Sequence, residues 1–239
     1  MSSYLFLYVQ PHANHRGTFT QWRRDPLLPT DPLLLDIEHT HTIYLDATTP
    51  PAAPTLSETT EYTHLNIYRF GTLTTIHSLQ LKAHLHTLTI DASICSLHWA
   101  TYTSITETNP PSQSAPVVVM VGMTIPIEDA PAREVLDSWY ANEHIPALAR
   151  VEGWMGSTRM KLVESYGGHE RRGGSEDTSG TGLAPYLAVH EWDEPNGLGG
   201  EAWKAANCTP STARIEALQV MPMQRSVWRS ANLGIKTGN

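Results

Sequence analysis

Cysteine is scarce in this chain of 239 residues, which contains only Cys95 and Cys208. The two lie far apart, with neither a CxxC pair nor zinc-finger spacing, so the sequence predicts no disulfide framework and no structural zinc site. No apolar run approaches the roughly 18 residues that a membrane-spanning helix requires. The first residues also lack the features of a secretion signal. We therefore expect a cytosolic protein that does not enter a membrane.

Positive charge is also in short supply, since 16 lysine and arginine residues face 24 aspartate and glutamate residues and the formal net charge is −8. This balance disfavours nonspecific binding to nucleic acid or to an anionic membrane. The sequence has no G-x-G-x-x-G, P-loop, G-x-S-x-G or H-E-x-x-H motif, which argues against nucleotide cofactors, serine hydrolysis and zinc peptidase chemistry. With 40% hydrophobic residues the chain is typical of a globular protein, and a small neutral or apolar molecule is the expected partner.

Three segments rich in proline, glycine, serine and threonine interrupt the patterned sequence, and their composition predicts loops. They cover residues 48–60, 106–116 and 165–185. The middle loop divides the chain nearly in half. We therefore predict one repeat over residues 1–105, a linker over 106–116 and a second repeat over 117–232.

Both halves present the same order of predicted elements. Each opens with an apolar strand, at 4–10 and 117–123, and each has a later strand, YTHLNIY at 62–68 and YLAVHEW at 186–192. Helical segments between the strands give the order βαββαβ, which is the ferredoxin-like arrangement. A four-stranded sheet with helices on one face leaves its other face bare, so two such sheets should pack together. The predicted fold class is α+β, with two fused ferredoxin-like repeats forming a pseudo-dimeric α+β barrel.

A tryptophan followed seven residues later by a proline marks the predicted first helix of each half, as Trp22 with Pro29 and as Trp139 with Pro146. In the second half this segment reads WYANEHIP. Together with VVVMVGMTIP and APYLAVHEWDEPNGLGG it resembles the EthD-like branch of the dimeric α+β barrel superfamily, in a tandem, fused form similar to proteins of filamentous fungi. The resemblance covers essentially the whole second half. It implies a cavity between sheet and helices that needs no metal, flavin or haem as cofactor.

The resemblance also implies that the histidine of the EHIP motif, His144, acts in acid/base catalysis. In the first half, Pro26 and Leu27 stand where the second half has Glu143 and His144. The first repeat has therefore lost the ionisable residues of the motif. We predict a single active pocket, in the second repeat.

Tyr140 and His144 are four residues apart, so a helix places them on one face. Imidazole titrates near neutral pH and suits proton transfer, and the tyrosine hydroxyl is the candidate donor to an oxyanion. The alternative is that His144 only caps the carbonyl end of the helix. Glu143 is interpreted as a supporting residue, which either stabilises His144 or forms a salt bridge with Arg150 or Arg159.

The strand YLAVHEW supplies further candidates for substrate binding. Tyr186, His190 and Trp192 alternate onto one strand face. We predict that this face lines the barrel interior and holds an aromatic substrate, while the aliphatic Leu187 and Val189 face the helices. A hydrogen-bonded core histidine is the alternative for His190.

Arg159 is the candidate for binding a carboxylate or phenolate oxygen, because its guanidinium fork fits such groups. The alternative is a solvated arginine at a strand edge. Trp139 is interpreted as a core anchor of its helix. Gly153 and Gly156 are expected to permit tight turns or close backbone approach.

Twelve histidines raise a metal hypothesis. His39 with His41 and His84 with His86 form two H-x-H pairs, and on a strand such a pair faces one side. No motif places a carboxylate to complete a site. We therefore predict no metal.

Three functions remain open. The first is a cofactor-independent enzyme of secondary metabolism that uses proton transfer on a polyketide-like or aromatic substrate, in cyclisation or aldol chemistry, dehydration or decarboxylation. The second is a cofactor-free oxygenase that converts an anthrone-like phenol to a quinone. The third is a noncatalytic small-molecule-binding or stress-response barrel. The chain is expected to act as a monomer, with the barrel built intramolecularly, or as a homodimer.

Overall fold

The first half of the chain contributes four strands. The computed structural model describes residues 2–11, 39–47, 63–71, 79, 81–85, 95–109, 115–126, 129–167 and 183–231. Before the midpoint of the chain these ranges contain β1 (Ser3–Pro11), β2 (His39–Ala47), β3 (His64–Phe70) and β4 (Cys95–Thr108), and residues 81–85 are helical. The predicted helix with Phe19 and Trp22 lies outside the described residues.

The second half contains four strands and most of the described helical residues. Its elements are β5 (Val117–Met123), α1 (Ala130–Trp139), a π-helical turn (Tyr140–His144), α2 (Ile145–Leu148), β6 (Trp154–Gly167), β7 (Tyr186–Trp192), α3 (Glu201–Asn207), α4 (Pro210–Leu218) and β8 (Gln224–Ser230). None of the described helices is long and apolar enough to span a membrane.

The eight strands close into one barrel in the order β1-β3-β2-β8-β5-β7-β6-β4, with β4 paired back to β1. Within each half the strand order is that of a ferredoxin-like sheet, β4-β1-β3-β2 in the first and β8-β5-β7-β6 in the second. The two sheets join through β4 with β6 and through β2 with β8, all antiparallel. The predicted fold class, two fused ferredoxin-like repeats in an α+β barrel, is confirmed.

β4 continues three residues into the segment predicted to be a linker. Its last residues pair with β6, and Thr108 lies opposite Ser157. Backbone hydrogen bonds of a strand are satisfied by a neighbouring strand irrespective of side-chain polarity, so the polar sequence around Thr106 still forms a strand here.

Side chains fill the barrel interior, as expected for a barrel of eight strands. The buried cluster inside consists of Tyr4, Phe6, Tyr8, Ile43, Leu45, Leu65, Ile67, Ala100, Tyr102, Ala115, Val118, Met120, Met160, Leu187, Val189 and Trp228. A cavity beside Tyr4, Arg69 and Glu191 has a volume of about 10 Å³, which is room for about one water molecule. The described part of the interior is therefore a packed core.

The helices of the second half cover the outer face of its sheet. Tyr186 and Ala188 pack there against α1 and the π-helical turn, and Trp192 packs with Leu148 and Ala206. The predicted orientation of β7 is therefore wrong, because Leu187 and Val189 face the interior instead. All seven residues of β7 are buried, so the strand has no solvated face from which alternation could set its orientation.

Capping and apolar spacing define α1. The side chain of Asp129 accepts a hydrogen bond from the Ala132 backbone N–H at 2.9 Å, and Pro131 stands in the first turn, where no donor is needed. Ala132, Leu136 and Trp139 then recur at helical spacing and are buried against the sheet. This buried stripe brings the end of α1, and the π-helical turn after it, onto β5 and β7.

The π-helical turn arises just before Pro146. The Ile145 backbone N–H donates to the carbonyl of Tyr140, one residue further back than in an α-helix. Pro146 has no N–H, and in an α-helix its ring would clash with the carbonyl of Asn142. The wider turn relieves that clash, so the sequence WYANEHIP produces a π-helical turn in place of the regular helix end predicted from its spacing.

Two glycines after α2 fix the entry into β6. Gly153 has φ 76°, and a Cβ there would lie 2.7 Å from the Asn196 Cβ and 2.9 Å from the Pro195 carbonyl oxygen. A Cβ on Gly156 would lie 2.7 Å from the Thr108 carbonyl oxygen. The expected turn and the expected close approach are both confirmed.

Candidate functional site

His144 lies at the end of the π-helical turn, between the sheet and α3. Its side chain is buried, and Nδ1 lies 3.3 Å from the carbonyl oxygen of Ala206 on α3. A carbonyl only accepts hydrogen bonds, so Nδ1 carries the proton and donates it. Nε2 of the neutral ring is then free to accept a proton.

Aromatic rings hold the His144 imidazole in place. The ring of Trp139 is stacked on it, with centroids 4.2 Å apart and planes inclined by 19°. The ring of Tyr140 meets it edge to face at 5.5 Å. The predicted association of Tyr140 with His144 is therefore present, and Trp139 contacts the histidine directly as well as packing in the core.

His190, on β7, reaches the same place from the sheet. Its ring centroid lies 6.0 Å from that of His144, with the planes inclined by 81°. The side chain is 3% exposed, and neither ring nitrogen has a hydrogen-bond partner among the described residues. The described residues therefore supply no hydrogen-bond partner to the core histidine considered as the alternative, and a buried imidazole without partners can take a ligand, a water molecule or an ion.

Both imidazoles are uncharged at neutral pH. Burial lowers the pKa of His144 to about 4, while the Ala206 carbonyl and the Glu143 carboxylate act in the opposite direction. Burial lowers the pKa of His190 to about 3, and the neighbouring His144 acts in the same direction. The charge of Arg225 further lowers both pKa values. Two neutral bases therefore lie buried side by side between the sheet and the helices.

Tyr140 and Arg159 form the part of the site nearest to α1. The Tyr140 hydroxyl lies 3.8 Å from the sulfur of Met123, and burial raises the pKa of Tyr140 well above its usual value. The Arg159 guanidinium carbon lies 4.1 Å from the centroid of the Tyr140 ring. Its Nη2 donates to the Asp137 carboxylate at 2.6 Å. Tyr140 therefore keeps its proton, and the Arg159 guanidinium is engaged by Asp137.

The solvated strand edge considered for Arg159 is wrong, because the residue is only 5% exposed. It stands on the helix-facing side of β6, opposite Ala188 of β7. A small cavity of about 10 Å³ is lined by Tyr140, Arg159 and Tyr186 among others. Arg159 is therefore part of the site wall, next to the buried Tyr186.

Glu143 points away from the histidine, towards α4. Its carboxylate accepts hydrogen bonds from Thr209 and Ser211, which lower its pKa. It forms no ion pair with Arg150 or Arg159 among the described residues. Glu143 therefore links the π-helical turn to the N-terminus of α4, which is neither of the two roles predicted for it from the sequence.

The remaining predicted residues are close but do not all meet the histidines. The Tyr186 hydroxyl is buried without a hydrogen-bond partner among the described residues and faces Tyr140 and Arg159. Trp192 packs in a different cluster, with Leu148 and Ala206. The site thus lies between the sheet and the helices, and not in the barrel interior.

Sequence reasoning missed Trp203 and Arg225. The Arg225 guanidinium carbon lies 4.4 Å from the ring centroid of Trp203 on α3, and its charge acts on both histidines. No motif in the sequence marks either residue. They can be located only from the strand order of the barrel, in which β5 alone separates β8 from β7.

A metal site finds no support in the described ranges, where no group of three or more histidine, cysteine, aspartate or glutamate side chains is placed to hold an ion. The side chains of His39 and His41, and all of His86, lie outside the described residues. The H-x-H hypothesis therefore stays untested.

Solved structures share this fold at low sequence identity. An anthrone oxidase-like protein superposes with a TM-score of 0.61 at 11% identity, over 97% of this chain and 91% of that chain. A variant of chlorite dismutase from Candidatus Nitrospira defluvii gives a TM-score of 0.55 at 11% identity, over 97% and 92% of the two chains. These likenesses show the dimeric α+β barrel fold. No protein-family model matches the sequence, and no curated protein is similar to it at the sequence level.

Proposed function

We propose that the protein is a cofactor-independent enzyme that removes and returns a proton on an aromatic or polyketide-like substrate. The observation that carries this proposal is the pair of uncharged imidazoles of His144 and His190, buried together between sheet and helices. The resemblance of WYANEHIP to the EthD-like motif also supports His144 as the acid/base residue. On this reading the chain is a tandem EthD-like protein, a cytosolic enzyme of fungal secondary metabolism that is a monomer or a homodimer.

The reaction begins when Nε2 of His144 takes a proton from a carbon next to a carbonyl group. The electron pair of the broken C–H bond moves towards the carbonyl oxygen and gives an enolate. The Tyr140 hydroxyl, which keeps its proton because burial raises its pKa, donates a hydrogen bond to that oxygen. The enolate then attacks a second carbonyl or expels a hydroxyl group, and the imidazolium of His144 gives its proton to the new alkoxide or to the departing hydroxyl. In a decarboxylation His144 takes the proton of the substrate's carboxylic acid instead, the C–C bond breaks as carbon dioxide leaves, and His144 returns the proton to the carbon of the resulting enolate.

Burial of His144 sets the energetics of this step. An isolated imidazolium is unfavourable in the dry pocket, which is why the pKa of His144 lies near 4. In the reaction, however, the imidazolium forms together with a negative enolate at contact distance. The two charges stabilise each other in a region of low dielectric constant, so the pocket favours the ion pair over either charge alone.

The substrate needs space that the closed site does not offer. The cavity beside Tyr140 and Arg159 has a volume of about 10 Å³, which holds about one water molecule. α3 is a short helix that ends at Asn207 and covers His144 through Ala206. We infer that the helices shift outward from the sheet to admit an aromatic substrate, while the Ala206 carbonyl stays on Nδ1 of His144.

A cofactor-free oxygenase is the second candidate. The structural likeness to an anthrone oxidase-like protein supports it, although an identity of 11% carries only the fold. In this reaction His144 takes the proton of an anthrone-like phenol, and the resulting anion transfers electrons to molecular oxygen, which ends in the quinone and water. The same base therefore serves both candidates, and only the consumption of oxygen separates them.

Hydrogen exchange on anthrone tests both candidates with one probe. Under nitrogen in deuterium oxide, the wild-type protein should speed the replacement of the ring methylene hydrogens, as followed by NMR. The His144→Ala variant should lose this effect by tenfold or more. The matched control is His98→Asn, since His98 is a buried histidine inside the barrel with a pKa of about 4.

The oxygen electrode then distinguishes the reactions. Oxygen uptake that matches quinone formation would support the oxygenase and exclude the proton-transfer enzyme. Exchange without oxygen uptake supports proton transfer. Equal exchange by wild type and His144→Ala, with no oxygen uptake, would overturn the enzymatic proposal and favour a binding or stress-response barrel.

A further inference from the structure

Arg225 stands at the edge of the site, on β8. It lies opposite Val121 of β5, which in turn lies opposite Ala188 of β7. Its side chain is exposed, and its guanidinium carbon is 4.4 Å from the centroid of the Trp203 ring on α3. Arg225 and Trp203 therefore connect the sheet and the helix that enclose the two histidines.

The other two arginines of the second-half sheet have a carboxylate partner. Arg159 pairs with Asp137, and Arg229, two positions further along the same face of β8, pairs with Glu194. None of the ion pairs among the described residues includes Arg225. Its guanidinium carbon lies over the Trp203 ring, and the residue is exposed, so a ligand can reach it.

The geometry of this arginine fits a planar anion. The Trp203 ring attracts the guanidinium, whose carbon lies over it, and the fork of N–H groups matches the two oxygens of a carboxylate. The charge of Arg225 is felt by both His144 and His190, so an anion bound there would lie beside the bases. The protein has a formal charge of −8, and an anionic ligand therefore requires such a local cation.

We propose that Arg225 binds a carboxylate of the substrate and so selects aromatic or polyketide-like acids over their neutral analogues. This inference rests on the proposed function for the location of the reaction, and it names the substrate class. The carboxylate holds the ring system between α3 and β7 and directs its reactive carbon towards His144. Arg225 is thus a positioning and specificity-determining residue, and His144 remains the base.

Anion binding also strengthens the base. The positive charge of Arg225 disfavours the imidazolium form of His144, and a bound carboxylate cancels that charge. The pKa of His144 therefore rises when a carboxylate ligand binds and is unchanged when its neutral analogue binds. A correct substrate thus improves the proton acceptor that acts on it.

Isothermal titration calorimetry of the full chain at pH 7 tests the inference, with naphthoate and its neutral analogue naphthamide as probes. Wild type should bind naphthoate about tenfold more tightly than naphthamide, since a hydrogen bond to a charged group contributes about 1.5–3 kcal/mol. Arg225→Gln should lose this preference. Arg225→Lys should keep only part of it, because lysine lacks the planar fork.

Arg229→Gln is the matched control, because Arg229 is on the same face of β8 and already pairs with Glu194. It should retain the preference for naphthoate. NMR titration of the histidine ring protons adds a second readout, in which naphthoate but not naphthamide raises the pKa of His144.

An equal preference for naphthoate in wild type and Arg225→Gln would overturn the inference, and so would the absence of saturable naphthoate binding to wild type. Binding does not depend on turnover, so the two proposals fail separately. If the preference for naphthoate is lost in Arg225→Gln but hydrogen exchange on anthrone is unchanged in His144→Ala, only the proposed reaction is overturned.

Discussion

The imidazole rings of His144 and His190 lie edge to face, 6.0 Å apart, although one belongs to a π-helical turn and the other to a strand. Neither ring has a carboxylate as hydrogen-bond partner among the described residues. Their pKa values are about 4 and about 3, far below the usual value near 6.5. Two buried neutral imidazoles at one place make both stability and reactivity depend on pH.

Stability should fall as the pH is lowered from 7 towards 4. In this range the unfolded chain binds a proton at each histidine and the folded chain does not, so protonation favours unfolding. For a folded pKa near 3, the loss between pH 7 and pH 5 is about 2 kcal/mol per histidine. His190→Asn should reduce the pH dependence by that amount, as measured by urea unfolding at both pH values. An unchanged difference would show that His190 is accessible to protons in the folded state.

The architecture was accessible from the sequence because it depends on patterns of many residues. The order of strands repeats in both halves, and YLAVHEW and VVVMVGM are strands with the predicted bounds. The orientation of β7 was not accessible, because the strand is buried on both faces and its two sets of side chains are both largely apolar. Only the position of the helices determines which face of β7 points to the barrel interior and which is covered by helices.

The candidate site was accessible in part for a similar reason. WYANEHIP is a local motif, so Tyr140 and His144 could be paired from spacing, and His190 could be nominated as the polar residue of its strand. Arg225 and Trp203 come from elements without a motif and meet the histidines only through the strand order of the barrel. The π-helical turn was also missed, because a spacing of four fits a regular helix equally well.

Tyr140→Phe separates chemistry from packing. The hydroxyl has one weak described partner, the Met123 sulfur at 3.8 Å, so its loss should change the free energy of unfolding by less than about 1 kcal/mol. If the hydroxyl stabilises an enolate, exchange on anthrone should fall by about tenfold or more. Thermal unfolding and NMR exchange rates measure the two effects. A stable variant with full exchange activity would remove Tyr140 from the mechanism.

Asp137→Asn should destabilise the protein by about 1–2 kcal/mol. It leaves the charge of Arg159 without its partner, and the Arg159 side chain is only 6% exposed. Asp137 itself is 52% exposed, so solvent screens the pair and keeps the loss modest. Glu201→Gln is the control, since its pair with Lys204 is exposed, and it should change the free energy of urea unfolding by less than about 0.5 kcal/mol. Equal effects of the two variants would contradict the buried role of Arg159.

Pro146→Ala tests whether the π-helical turn exists to position His144. The substitution supplies an N–H that can donate to the Asn142 carbonyl and removes the ring that clashes with it in an α-helix. The turn should then relax towards regular α-helix, which shifts His144 relative to the carbonyl of Ala206. We expect the free energy of unfolding to change by less than about 1 kcal/mol, because restored hydrogen bonding offsets the greater entropy of the unfolded chain.

Exchange on anthrone should nevertheless fall by about tenfold, since a displacement of the base by about 1 Å is enough to disturb proton transfer. Pro131→Ala is the matched control, because Pro131 stands in the first turn of α1, where the helix needs no donor. It should leave both stability and exchange near wild type. If Pro146→Ala keeps full exchange activity while NMR shows a regular helix through His144, the π-helical turn serves only to accommodate the proline, and the position of the base is set by Trp139 and Ala206 alone.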